Sequence, residues 1–170
     1  TNIDKVAPTV TITNKDGKIT VEAKDNDGGS GIDKKFFKLD SNDWVNEMPN
    51  LTLLKDGKHT IQAKATDLAG NESEVKFLDF YTADEAIKAG EDALKALGKA
   101  EETKAKEDIV TAQNLINIAK TKAEALDNEN PNKTTLLENV KTMQDRLDNI
   151  KNNNEQEKAL EEAIKAVEKA

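Results

Sequence analysis

Apolar residues alternate with polar ones over the first half of the chain and recur every three or four positions over the second. Thr9-Val10-Thr11-Ile12-Thr13 and Ile19-Thr20-Val21-Glu22-Ala23-Lys24 both have period two, the mark of half-buried strands. Between them stands Asn14-Lys15-Asp16-Gly17, where Asp-Gly supplies the positive φ angles of a tight hairpin. Residues 34–39 predict a third strand. Residues 59–66 predict a fourth, with Ile61, Ala63 and Ala65 on one face, and residues 74–81 a fifth. The stretch from Trp44 to Leu54 predicts one or two more. Five to seven short strands in this space predict an antiparallel sandwich.

After residue 82 the period becomes helical. Thr82 and Glu85 are spaced as a capping box, opening a helix to about Glu102. A second helix carries Ile109, Ala112, Ile116, Ala119, Ala123 and Leu126 as one narrow apolar stripe. Residues 127–132, with Pro131, break the chain. The third stripe, Leu136, Val140, Met143, Leu147 and Ile150, has alternating gaps of four and three. Asn152, Asn153 and Asn154 predict an interruption, with a fourth helix from about Glu155. The expected architecture has two domains: an all-β immunoglobulin-like sandwich over residues 1–82 and an antiparallel three-helix bundle over 83–154.

Residues 155–170 repeat residues 85–100 at an offset of seventy, with nine of sixteen positions identical. Three helices with their connections occupy about that length, so residues 155–170 read as the first helix of a following repeat. Units repeated in this way contact mainly their neighbours, as in long modular chains.

Composition sharpens the division. All six aromatic residues and six of the eight glycines precede residue 82, whereas fifteen of the twenty alanines follow it. Zero cysteines exclude disulfides, a thiol nucleophile and a cysteine-based zinc site, and the single His59 excludes a multi-histidine metal site. A net charge of -8 and an isoelectric point near 4.8 argue against a nucleic-acid partner, which rewards clustered Lys and Arg. No apolar run is long enough for a membrane span. Thr1-Asn2-Ile3-Asp4 has neither the basic nor the apolar region of a targeting signal.

Three spaced motifs carry a family resemblance. Asp27-Gly28-Gly29-Ser30-Gly31-Ile32-Asp33 is followed by Asp56-Gly57-Lys58-His59-Thr60. Then comes Ala65-Thr66-Asp67-Leu68-Ala69-Gly70-Asn71. In this order they resemble the bacterial immunoglobulin-like domains of Gram-positive surface proteins, over most of residues 8–81. With Ala100-Glu101-Glu102-Thr103-Lys104, Ala112-Gln113-Asn114-Leu115-Ile116, and Leu136-Leu137-Glu138-Asn139-Val140 to Asp145-Arg146-Leu147-Asp148, the helical half is similar to α-helical repeats of secreted and wall-associated Firmicute proteins. The resemblance implies an extracellular region, secreted or associated with the cell wall.

The loops after the second strand and before the last lie at one end of such a sandwich. They bear Asp25, Asp27 and Asp33, and Asp67 and Asn71, respectively. These oxygen donors could hold calcium, which takes six to eight oxygen ligands, and Asp4 could reach the same end. The competing reading is that Asp, Asn and Gly cap backbone groups in turns. No other cofactor is expected. Ser30 and His59 are formal catalytic candidates without the strand–Ser–helix context of a nucleophile elbow. Adjacent acidic pairs such as Glu101 and Glu102 lie on helices and do not face each other across a substrate.

The expected function is therefore a non-catalytic extracellular spacer or stalk that positions neighbouring domains of the same chain, as a monomer. The rival is an adhesin, a module binding a host glycan or extracellular protein through exposed aromatics. A third reading is an accessory region of a secreted hydrolase or toxin. Trp44 is expected in the sandwich core, and the junction at residues 81–84, without Gly or Pro, is expected to be stiff.

Overall fold

The computed structural model describes residues 3–169. The chain forms two units. One holds the residues up to Leu54 together with Lys58–Thr82, and the other holds Lys55–Gly57 and the residues from Ala83 onward.

The first unit contains five strands: β1 (Thr9–Lys15), β2 (Lys18–Lys24), β3 (Ile32–Leu39), β4 (Gly57–Asp67) and β5 (Lys76–Thr82). β1 pairs antiparallel with β2, and β3, β4 and β5 form a second sheet in that order. Asp16 and Gly17, at φ 52° and 81°, make the two-residue turn between β1 and β2. With both central angles positive, the turn twist matches that of the strands. Val10 stands opposite Ala23 and Ile12 opposite Val21, so one face of this sheet is apolar. β4 buries Ile61, Ala63 and Ala65 completely, and these meet Val10, Phe37, Leu39 and Phe80 in one core.

The strands expected between Trp44 and Leu54 do not form among the described residues. Val45 makes an isolated antiparallel bridge to Phe37, and Leu51–Leu53 is a single 3-10 turn started by Asn50. Pro49 removes a backbone donor there, and the Asn50 side chain bonds the Thr52 N–H and hydroxyl, which favours a turn over a ladder. Trp44 is half-buried rather than a core residue. Its ring lies 5.1 Å from the Lys64 ammonium, which is also 5.8 Å from the Phe36 ring.

The second unit contains α1 (Asp84–Thr103), α2 (Lys106–Ala125) and α3 (Lys133–Glu168). Its core joins Ala89, Ala93, Leu97 and Ala100 of α1 to Ala112, Ile116 and Ala119 of α2 and Val140, Met143 and Leu147 of α3. The α2 and α3 residues lie on the stripes that the three–four spacing predicts. Alanine on the facing surfaces leaves little side-chain bulk between the helices, which favours close packing.

Two helix boundaries differ from expectation. No capping box opens α1: the N-cap is Ala83, and the Asp56 carboxylate accepts from the Glu85 and Ala86 N–H groups at 3.0 and 2.8 Å. The interruption at Asn152–Asn154 and the separate fourth helix are also absent, because α3 runs unbroken for 36 residues. Asn costs only a few tenths of a kcal/mol in a helix relative to better formers, and no Gly or Pro accompanies the three. Asn154 also donates its side-chain amide to the Lys104 carbonyl at 3.0 Å, just past the end of α1.

The connections within this unit are set by side chains. Asp108, buried in the first turn of α2, accepts from the Thr103 hydroxyl at 2.7 Å and pairs with Lys99 at 2.7 Å. The bond from Lys99, then that from Thr103, holds the Asp108 carboxyl below its ordinary range. Lys133 donates to the Glu124 and Leu126 carbonyls, satisfying acceptors at the end of α2. Arg146 grips Glu101 through two bonds of 2.8 and 2.7 Å. No helix among the described residues is long and apolar enough to cross a membrane.

Candidate metal centre

Three segments of the β unit converge at one end: the chain before β1, the β2–β3 loop and the β4–β5 loop. The loops are tied by backbone and side chain, because Leu68 N–H donates to the Gly31 carbonyl at 2.9 Å and Ala69 N–H to the Ser30 hydroxyl at 3.0 Å. Asp4 reaches in from the first segment and accepts from the Ser30 N–H at 2.8 Å, while the Asn71 amide donates to the Asp4 carbonyl.

One carboxylate oxygen each from Asp4, Asp25 and Asp67 falls within 4.8 Å of the others. Asp67 is 2% exposed, so one of the three charges is buried. Among the described residues no lysine or arginine pairs with any of them. Backbone groups hold each in place. Asp25 accepts from the Asn26 N–H at 2.9 Å and the Gly31 N–H at 2.6 Å, and Asp67 accepts from the Asn71 N–H and side-chain amide at 2.8 and 2.7 Å. The Ser30 and then the Val6 N–H hold the Asp4 carboxyl below its ordinary range.

Gly29 makes the Asp25 position available. A Cβ on this residue would lie 2.6 Å from Asp25 Oδ2 and 2.8 Å from Asn26 Oδ1, closer than packed atoms approach. Asn26 Oδ1 is buried and has no hydrogen-bond partner. An orphaned carbonyl oxygen of this kind costs about 1–3 kcal/mol unless water or a cation meets it.

The expected donor set is thus divided. Asp25 and Asp67 come together, with Asp4 as their third member. Asp27 and Asp33 are exposed and stand outside the group, and Asn71 serves Asp67 and Asp4 as a donor through its amide nitrogen. The donor chemistry fits a hard divalent cation: carboxylate oxygens from three segments beside an unused amide oxygen. It also fits turn capping, since every oxygen of the three carboxylates accepts a bond.

The catalytic candidates do not meet. Ser30 precedes β3 and accepts from Ala69, whereas His59 Nδ1 lies 2.8 Å from Asp40, just past the other end of that strand. Eight residues of strand separate them, roughly 26 Å. Asp40 was missed in the sequence. It sits at φ 52° and accepts from the Thr60 N–H at 2.8 Å. Partial burial pushes its carboxyl up, but the bonds from His59 and Thr60 outweigh this and bring it below its ordinary range. Asp56 was missed too, because a cap supplied from a distant loop has no local spacing to reveal it.

The aromatic candidates are mostly engaged. Phe37 and Phe80 are core residues, and the Lys64 ammonium stands over Phe36 and Trp44 while pairing with Glu72 at 3.0 Å. Phe77 is 72% exposed.

No curated protein and no solved structure matches the chain. Residues 1–84 match the family model described as a bacterial Ig-like domain, in agreement with the two tied loops, the hairpin and the three ordered motifs.

Proposed function

We propose that this chain is a non-catalytic extracellular spacer of a bacterial surface or secreted protein, serving to position other domains. The carrying observation is the pairing of an Ig-like domain with a helical unit whose first helix recurs in sequence seventy residues on. The separation of Ser30 from His59 by a full strand supports the lack of catalysis. The cover that Lys64 places over Phe36 and Trp44 favours a spacer over an aromatic sugar platform. The test is a panel of glycosidase, esterase and peptidase substrates. Turnover at the buffer rate is expected, and turnover abolished by Ser30→Ala or His59→Ala would overturn the reading.

A second element of the proposal is calcium held by Asp4, Asp25 and Asp67, favoured by the convergence of their oxygens and by the orphaned Asn26 Oδ1. The cation would lock the chain start to both loops. Extracellular calcium modules have dissociation constants of roughly 0.1–1 mM, so 10 mM calcium would stabilise the β unit by about 1.4 kcal/mol or more. Melting followed in calcium and in chelator checks this. Equal melting temperatures would leave the carboxylates as turn caps alone.

A further inference from the structure

The last part of α3 presents an apolar face that nothing in the described residues covers. Residues 155–168 are exposed throughout, including Leu160 at 62% and Val167 at 77%. Laid on α1 at the offset of seventy, Ala159, Ala163 and Val167 take the places of Ala89, Ala93 and Leu97. Those three α1 residues are buried against α2 and α3. The exposed face therefore has the pattern of a surface that this same fold buries elsewhere.

The charges repeat with the apolar positions. Glu85 pairs with Lys122 of α2 at 2.8 Å and recurs as Glu155; Lys99 pairs with Asp108 of α2 at 2.7 Å and recurs as Lys169. The two acid–base partners lie near opposite ends of α1, so they set both the register and the direction of α2 against it.

Two departures have physical reasons. Gln156 replaces Ala86, at the point where α1 begins but α3 simply continues. A continuing helix has its backbone donors satisfied and needs no counterpart of the Asp56 cap. Leu160 replaces Gly90, which borders a groove of about 310 Å³ also lined by Leu94, Leu136 and Val140. A leucine there would fill the corresponding groove in a second bundle.

We infer that residues 155–168 dock a second α2–α3 helix pair of the same pattern, so that α3 serves two successive bundles as one continuous helix. This rests on the spacer reading and deepens it by naming what the helical unit joins to. Helix continuity would replace a loop between units and transmit orientation along 36 residues, about 54 Å of helix.

The test compares the full chain with the same chain extended after Ala170 by a second copy of residues 101–154. Hydrogen exchange is followed at the amides of residues 159–168. The expected result is exchange slowed by roughly a hundredfold or more on extension, approaching that of residues 89–97. Val167→Glu in the extended chain should return these amides to the fast rates of the unextended chain. Glu155→Lys should cost a few-fold in protection, and Lys→Glu at the added counterpart of Lys122 should restore it.

Unchanged exchange on extension would overturn the inference, whether or not the added residues are helical. So would protection that already exists in the unextended chain and rises with its concentration, because a second copy of the same face would then be the occupant. Neither outcome touches the absence of catalysis on which the spacer reading is tested.

Discussion

The two units of this chain bury apolar side chains by different means. In the β unit the core depends on contacts distant in sequence: Ile61, Ala63 and Ala65 meet Val10 and Phe80, and the loops are fastened by Asp4, Asp25 and Asp67. In the helical unit the core follows from a local period, with polar links at the helix ends, from a distant loop for Asp56 on α1 and from the next helix for Lys133 on α2. A period can be copied along a chain and remain a helix face. A set of individually placed loop carboxylates cannot be shifted by one residue without losing its geometry. The candidate chemistry accordingly sits in the β unit, and the recurrence sits in the helices.

Damaging one core at a time separates the two units most clearly. Leu97→Ala should cost the helical unit about 2–5 kcal/mol, since the side chain is fully buried among three helices. Trp44 is the sole tryptophan and lies in the β unit, so its fluorescence follows that unit while helical circular dichroism follows the other. Leu97→Ala is expected to lower the dichroism midpoint and leave the fluorescence midpoint in place; equal shifts in both would show one cooperative body.

Asp67→Ala should act on the opposite side of the comparison. It leaves the Asn71 N–H and one side-chain amide N–H without their carboxylate acceptor in a part-buried site, for about 1–3 kcal/mol read in denaturant by fluorescence. Asp56→Ala removes the carboxylate from two N–H groups at the start of α1 and should cost the helical unit about 1 kcal/mol. Gly90→Ala should instead stabilise that unit by about 0.5–1 kcal/mol. Its added Cβ would meet only Leu136 Cδ2, at 3.9 Å.

The smallest effect is the acid limb. Asp4, Asp40 and Asp79 in the β unit and Glu85 and Asp108 in the helical unit all have lowered carboxyl pKa values. A lowered folded value means that the unfolded chain binds the proton first, so these groups stabilise above their ordinary values. Their contribution is lost as pH falls, from 4.5 for Glu85 and 3.8 for the aspartates. Both melting transitions should hold steady from pH 7 to about 5 and decline below about 4. Because most of these carboxylates are solvated, the decline should be shallow and weaken further with added salt.

What could be read in the sequence was local. The Asp16-Gly17 turn, the alternation in β4 and the stripes of α2 and α3 follow from spacing within a few residues, and the structure contains them. The misreadings involved partners far apart in the chain. Asn152–Asn154 look like a breaker until Asn154 is seen bonded to Lys104, and Thr82–Glu85 look like a capping box until Asp56 fills the role. Trp44 looks like a core residue until Lys64 is found over its ring. For the site, the motif spacing brings the right loops together. It does not reveal which carboxylates turn inward, because that depends on backbone direction at positions such as Gly29 and Gly31. Asp25 therefore joins Asp67, while Asp27 and Asp33 point elsewhere.

The spacer reading meets its most direct test in equilibrium binding. The folded chain would be measured against immobilised host glycans, matrix proteins and serum albumin, in calcium and in chelator. No saturable binding is expected on any surface, with both unfolding transitions intact in the same sample. Saturable binding at micromolar affinity or better, weakened by Asp25→Asn or Asp67→Asn, would contradict it and make the acidic loops of the β unit an adhesive site.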